Sequence, residues 1–252
     1  MEKVKYNILI LLTLIFLGCN SESAWDCVKT PGAEILFEED VGEFQSVTVQ
    51  GHMDLVVIQD TLMRVQVKTR ENLMGNIQFT IEDGVLYIED ESTCDVLRKR
   101  SYTTVYIYAP KLYTIRNAST GMVRNEGVWK QNKIGLICEN HFNDSYYNNG
   151  VFEMNLEVHE LNVLANGHSY FKLEGTAEKA DMSVYAGNAR IETSSMPIEE
   201  IDLYHRGTNH MLLYPTQAIR GEILNTGDVR IYNTPPIVEV DEKYLGSLVI
   251  IE

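Results

Sequence analysis

A glycine returns every 20 residues through the C-terminal part of the chain, and this repeat limits the possible folds more than any other feature. Its members are Gly167, Gly187, Gly207 and Gly227. An apolar residue stands four positions after each glycine, at Phe171, Ile191, Met211 and Ile231. A second apolar set stands three positions before each glycine, at Leu164, Val184, Tyr204 and Leu224. In the second unit the register could slip by one position, which would turn Met182, Val184 and Ala186 inward. A 20-residue unit of short strands cannot bury its own apolar face, so neighbouring units must stack on one another.

The repeat predicts an all-β solenoid of β-helix type, with the column from Phe171 to Ile231 stacked in a dry interior. Each glycine is expected to mark a corner whose backbone conformation other residues resist. Upstream, alternating segments around Asp83-Gly84 predict a hairpin. We therefore expect a domain over residues 36–252, with a more irregular β part at 36–110 and solenoid coils at 111–252. The alternative is chance spacing of glycines in a β-sandwich.

The N-terminus has the pattern of a secretion signal. Lys3 and Lys5 precede an apolar run at residues 8–17, which is too short to span a bilayer. The ending Phe16-Leu17-Gly18-Cys19 resembles a bacterial lipobox. We expect residues 1–18 to be a lipoprotein signal peptide, Cys19 to be lipidated, and residues 19–35 to be a tether. The protein would then be an outer-membrane lipoprotein on the periplasmic or the cell-surface face. The alternative is an ordinary cleaved signal with an incidental cysteine.

Three further cysteines follow Cys19. Cys27 and Cys94 lie in polar surroundings, whereas Cys138 lies in the apolar run Ile134-Gly-Leu-Ile-Cys138. In an oxidising compartment this predicts a Cys27–Cys94 disulfide and a buried free thiol at Cys138.

Charge and motifs exclude several functions. The formal net charge of -15 argues against nucleic acid as a partner, because phosphate binding needs clustered Lys and Arg. The six histidines form no metal-binding spacing and are expected at exposed or turn positions. Paired carboxylates arranged for glycoside hydrolysis are not evident either. We expect a protein without catalytic activity, without a cofactor and without a metal site.

One outward row of side chains is a candidate binding surface, which we call the stripe. It consists of the residues three positions after each glycine: Tyr170, Arg190, His210 and Arg230. Aromatic and cationic groups in a row could hold a sugar or an acidic polymer. The alternative is a solvated face whose arginines offset neighbouring acids. Tyr146-Tyr147, flanked by Asn and Asp, is a second candidate surface, with a plain loop as its alternative.

Four stretches resemble the GIN-domain family, which is described as auto-transporter adhesin head domains. Residues 44–60 look like its opening strand pair, and Leu112 to Gly121 is similar to its first glycine corner, with Ser119 in place of a glycine. Residues 225–235 resemble its closing motif, with Asn233 and Thr234 where a glycine is usual, and Gly246-Ser247 looks like a last corner. The resemblance implies a right-handed parallel β-helix and no established activity; in similar lipoproteins cysteines recur at positions matching Cys27 and Cys94.

These features lead to a non-enzymatic, lipid-anchored cell-envelope protein that acts as an adhesin or binding module through its β-helix surface. Its partners would be the membrane, through the anchor, and a glycan or protein ligand. Self-association is open to it, since solenoid ends leave unpaired strand edges. Three alternatives remain: a glycan- or polymer-binding lipoprotein of a nutrient-uptake system, a structural envelope scaffold, and a polysaccharide lyase or hydrolase.

Overall fold

A computed structural model of the protein describes residues 32–91, 103–141 and 143–251. The described chain is all-β, as predicted, with a short 3-10 helix at Met74–Asn76 and no α-helix within those ranges. Its strands, numbered in chain order, are β1 (Glu34–Glu39), β2 (Ser46–Gly51), β3 (Met53–Gln59), β4 (Arg64–Arg70), β5 (Ile77–Glu82), β6 (Val85–Asp90), β7 (Thr103–Ala109), β8 (Thr114–Ser119), β9 (Met122–Glu126), β10 (Trp129–Cys138), β11 (Val151–Ala165), β12 (Tyr170–Val184), β13 (Arg190–Glu192), β14 (Ile198–His205), β15 (Met211–Leu213), β16 (Pro215–Ile223), β17 (Val229–Ile231), β18 (Ile237–Glu242) and β19 (Leu248–Ile250).

The N-terminal strands combine antiparallel neighbours with parallel pairs that reach far along the chain. β5 and β6 form the predicted hairpin, and the φ angles of 50° at Asp83 and 76° at Gly84 are those of a tight two-residue turn. β1 and β7 both pair antiparallel with β4. β2 lies between β6 and β8, and β3 lies between β7 and β9, all in parallel. The first part of the domain is therefore continuous with one curled sheet that holds all the described strands.

Two parallel ladders run through the C-terminal half. β11 and β12 pair along most of their length. Beyond them, β14, β16 and β18 continue one ladder from the second half of β12. β13, β15, β17 and β19 continue the other ladder from its first half. Each repeat unit thus contributes one strand to each ladder. The stacking of units buries the apolar face that a single unit would leave exposed.

The predicted apolar column is correct for three members and wrong for the fourth. Phe171 lies opposite Ile191, and Ile191 lies opposite Met211. Met211, however, lies opposite Val229, while Ile231 lies opposite Leu213. The shift arises because Tyr214 alone connects β15 to β16, whereas residues 193–197 connect β13 to β14. Ile231 is nevertheless fully buried, one place further along the same face.

The second predicted inward set also needs correction. Of Leu164, Val184, Tyr204 and Leu224 only Val184 is buried, and in the alternative register Met182 and Val184 are buried but Ala186 is exposed. The residues paired along this inner row are Ala165, Val184, His205 and Ile223. A histidine therefore occupies an interior position, contrary to the expectation that every histidine is exposed or in a turn.

The repeated glycines serve two different physical needs. Gly167 and Gly187 have positive φ angles of 74° and 84°, as expected for corners that other residues resist. Gly207 and Gly227 do not have positive φ, so a glycine is needed there for space alone. A Cβ on Gly227 would lie 2.1 Å from the Asn209 carbonyl oxygen and 2.5 Å from Nε2 of His205. The glycine at this corner therefore makes room for the buried imidazole.

Candidate functional site

The first two residues of the stripe lie next to each other on the outer surface. Tyr170 on β12 is the parallel partner of Arg190 on β13. Both side chains are partly exposed, while the adjacent Phe171 and Ile191 are buried. This alternation is the one the sequence predicted for neighbouring positions in a strand.

Glu192, which the sequence analysis did not single out, holds these two side chains together. Its Oε2 accepts a hydrogen bond from the Tyr170 hydroxyl at 2.9 Å and another from Nη2 of Arg190 at 3.0 Å. Burial, together with the Glu192 carboxylate, raises the pKa of Tyr170 above its ordinary value. Alternation could have identified Glu192, because it lies two positions after Arg190 and so on the same side of the strand.

The other two stripe residues form a second polar group around Asp228. Nη2 of Arg230 lies 3.0 Å from Nε2 of His210. Oδ2 of Asp228 lies 3.6 Å from Nδ1 of His210 and 3.7 Å from Nη2 of Arg230. The four stripe residues are thus divided into two groups, and each arginine already has a carboxylate partner. Ligand binding by the stripe stays a prediction. An acidic ligand would have to compete with Glu192 for Arg190 and with Asp228 for Arg230.

The predicted loop surface at Tyr146-Tyr147 is attached to the sheet at several points. The backbone N–H of Tyr147 donates to the Ala118 carbonyl oxygen at 3.2 Å. The Tyr147 ring packs against His52 with centroids 5.1 Å apart, and the Arg116 guanidinium lies 5.6 Å from the centroid of the Tyr146 ring. Arg116 is itself paired with Glu139 at 2.5 Å. The loop is therefore held in one position over the outer face of the sheet.

Cys138 is a buried free thiol, as predicted. Burial raises the pKa of the thiol to about 11, so the reactive thiolate is suppressed at neutral pH. The lipidation candidate Cys19 and the disulfide candidates Cys27 and Cys94 lie outside the described residues, as do the signal peptide and most of the tether.

His205 is an inward-facing polar residue on β14 with 0% relative exposure. Its Nε2 lies 2.9 Å from the Asn209 carbonyl oxygen, which can only accept, so Nε2 carries the proton. Nδ1 is buried without a partner. Burial lowers the pKa of His205, a nearby His210 lowers it further, and the Asn209 hydrogen bond and Asp228 oppose this. The folded protein therefore favours the neutral imidazole.

We expect His205 to make the protein less stable in mild acid. The pKa of His205 is lower in the folded state than in the unfolded state, where it is near 6.5. Its contribution to the free energy of unfolding is therefore complete above pH 6.5 and is lost as the pH falls below that value. The slope attributable to one proton is at most about 1.4 kcal/mol per pH unit. Urea unfolding between pH 8 and pH 5 should show a shallower pH dependence for His205→Gln than for the wild type. His168→Gln, at an exposed turn position, is the control, and equal slopes for all three proteins would contradict the expectation.

Within residues 32–91, 103–141 and 143–251, no group of three or more His, Cys, Asp and Glu side chains is arranged to hold a metal ion. Across those residues no helix has the length and apolar character needed to cross a membrane.

Comparison with known proteins places this sheet in a family. Residues 43–235 match the family model described as "putative auto-transporter adhesin, head GIN domain". No curated protein matches the chain. A crystal structure of "a putative adhesin" from Bacteroides fragilis NCTC 9343 is similar in fold, with a TM-score of 0.76, 20% identity, and coverage of 87% of this chain and 97% of that one.

Two other crystal structures share the fold. A "putative lipid binding protein" from Parabacteroides distasonis ATCC 8503 has a TM-score of 0.61 and 18% identity, covering 88% of this chain and 98% of that one. A "putative adhesin" from Parabacteroides merdae ATCC 43184 has a TM-score of 0.59 and 16% identity, covering 89% and 99%. The family match spans most of the chain and agrees with these folds, and the chain belongs to this GIN-domain family.

Proposed function

We propose that the chain is a non-enzymatic, lipid-anchored protein of the cell envelope that acts as an adhesin or binding module. The observation that carries the proposal is the pair of parallel ladders, whose outer faces present polar side chains over a continuous apolar interior. Membership of a family described as adhesin head domains supports the same function and a location at the envelope or cell surface. The family description names no reaction.

We further propose that the domain winds as a right-handed parallel β-helix. Parallel pairing of residues about one 20-residue unit apart supports this winding, since each turn then returns the chain beside the previous strand. Right-handed connection between parallel strands is the rule for L-amino-acid chains. The interior row from Phe171 to Met211 would then be one side of the central column.

The lipid anchor at Cys19 accounts for how such a domain stays on the membrane. The lipobox-like Phe16-Leu17-Gly18-Cys19 follows the short apolar run of a secretion signal. Each buried acyl methylene contributes about 0.8 kcal/mol, so several chains on one cysteine hold a protein stably on a bilayer.

Polymer binding in a nutrient-uptake system is the second candidate function. The stripe favours it, because Tyr170 and Arg190 stand side by side on the outer surface. It ranks second because Glu192 and Asp228 already neutralise the arginines that an acidic polymer would need.

A membrane-fractionation and adhesion experiment tests the proposed function. We expect the wild-type protein in the membrane fraction, with cells producing it adhering to epithelial cells or glycan-coated surfaces. Cys19→Ser should move the protein to the soluble fraction and reduce adhesion to the level of cells lacking the protein. Beads coated with purified chain serve as the control, because the same substitution should leave their adhesion unchanged. Wild-type cells and beads that both fail to adhere would refute the adhesin function, and unchanged fractionation would refute the anchor.

A further inference from the structure

A groove lies on the outer face of the N-terminal strands, away from the stripe. Its floor is formed by β2, β5 and β6, and the loop of residues 143–146 forms one wall. The cavity volume is about 260 Å³, just below the range of roughly 300–1,000 Å³ of pockets for drug-sized ligands. The groove therefore has room for one small ring. The lining residues that matter here are Thr48, Gln50, Tyr87, Glu89, Asn143 and Tyr146.

Strand alternation directs the side chains of β2 and β6 into this groove. Tyr87 lies between the fully buried Leu86 and Ile88, so its own ring faces outward. It pairs with Thr48, and Gln50 pairs with Glu89 one step further along the same face. Nε2 of Gln50 donates to Oε1 of Glu89 at 3.0 Å, which positions the amide and the carboxylate side by side.

The wall formed by residues 143–146 is held in place by hydrogen bonds. The backbone N–H of Tyr146 donates to the Asn143 carbonyl oxygen at 3.0 Å. Nε2 of Gln50 also lies within 3.4 Å of the Ser145 hydroxyl, which links the wall to the floor. Tyr87 on the floor and Tyr146 on the wall thus line a groove whose shape exists before any ligand arrives, and this reduces the entropic cost of binding.

The chemistry of the lining restricts what the groove can hold. Among the described residues that line it, none is Lys or Arg. The nearby Arg116 is already paired with Glu139 and lies against the Tyr146 ring. An anionic ligand would therefore meet the carboxylates of Glu82 and Glu89 without a free cation. Neither Tyr87 nor Tyr146 has a hydrogen bond to its hydroxyl within the described chain, so both can donate to a ligand.

We propose that this groove binds a single neutral sugar residue of a glycan. The apolar face of a pyranose ring packs on the tyrosine rings, which offer flat, amphipathic surfaces. Its neighbouring hydroxyls donate to Oε1 of Gln50 and to the Glu89 carboxylate, and they accept from the Tyr87 and Tyr146 hydroxyls. The inference rests on the proposed function as a binding module, to which it gives a ligand class and a second site, separate from the stripe and the lipid anchor.

Saturation-transfer NMR with the purified chain tests the proposal. The probes are the methyl glycosides of glucose, galactose, mannose and N-acetylglucosamine, and we expect at least one to bind with a dissociation constant in the millimolar range or below. Tyr87→Ala and Tyr146→Ala should each weaken binding about tenfold or abolish it, as loss of one aromatic contact implies. Tyr87→Phe should retain most of the binding, because the ring face is kept. Tyr244→Ala, an exposed tyrosine between β18 and β19, should have no effect.

Three outcomes would overturn the site. They are the absence of binding by all four neutral glycosides, binding that survives both alanine variants, and a preference for methyl glucuronide or spermidine over every neutral glycoside. Circular dichroism of each variant separates a lost site from a lost fold, and Tyr87→Phe keeps the test valid if an alanine variant does not fold. Beads that adhere to cells while no glycoside binds would overturn this site and leave the adhesin function standing.

Discussion

Gly221→Ala is expected to cost the protein on the order of 3–5 kcal/mol of unfolding free energy, among the largest effects of any single substitution. Gly221 lies in β16 opposite Leu203 of β14, with a φ of 130° that L side chains rarely adopt. A Cβ at this position would lie 1.9 Å from the Leu203 carbonyl oxygen and 2.9 Å from its backbone nitrogen. Since both contacts are with backbone, no side chain can move aside. The strand pair must separate, and the ladder is interrupted.

Urea unfolding followed by circular dichroism measures this effect. Gly75→Ala is the matched control, because a Cβ there meets nothing within 4 Å and no positive φ is required. Gly175→Ala should behave like Gly221→Ala, since its Cβ would lie 2.0 Å from the Leu156 carbonyl oxygen at a φ of 103°. If Gly221→Ala and Gly75→Ala unfold at the same urea concentration, the parallel pairing of β14 with β16 is wrong.

Phe171→Ala is expected to lower the unfolding free energy by about 3–5 kcal/mol, the usual cost of emptying a large aromatic site in a core. The Phe171 ring is fully buried and stacks on the Phe152 ring, with centroids 4.8 Å apart and an interplanar angle of 8°. Its removal leaves a cavity between β11 and β12 and exposes one face of Phe152. Phe171→Leu should cost less, because it leaves a smaller cavity.

Two measurements check this prediction. Chemical denaturation gives the free-energy change, with Leu245→Ala as the control because Leu245 is 73% exposed. Hydrogen exchange of the backbone amides should accelerate most in β11, β12 and β13, which contact the cavity. Equal costs for Phe171→Ala and Leu245→Ala would contradict the stacked interior.

The apolar periodicity was sufficient to predict the all-β class, the pairing of Phe171 with Ile191 and the pairing of Ile191 with Met211. It failed at Val229, because the repeat of glycines does not show how many residues connect one strand to the next. The short connection at Tyr214 shortens the distance along the chain from Met211 to its partner Val229, although Gly227 still follows Gly207 by 20 residues. Register in a solenoid therefore depends on both corners of each unit, and only one of them carries a glycine signal.

The candidate site was less predictable, since its behaviour depends on side chains across strands. Tyr170 and Arg190 were expected to lie outward, and they do. Alternation places Glu192 on the same side as Arg190, but its hydrogen bond with Tyr170 on the neighbouring strand is evident only in the folded sheet. The buried His205 was missed for a different reason. Its polar ring predicts an exposed position. The imidazole fits in the interior because Gly207 and Gly227 have no side chains where it lies.

The distance along the chain between paired strands also sets the order in which the protein can fold. β2 completes its pairing only with β8, which lies 68 positions downstream (114 minus 46). Units of the C-terminal ladders pair with neighbours 20 positions away, as Phe171 does with Ile191. Closing the shorter loops costs less chain entropy. In a chain that emerges N-terminus first, β2 and β3 therefore keep one edge unpaired until β8 and β9 have followed, whereas each C-terminal unit can pair as soon as the next unit follows it.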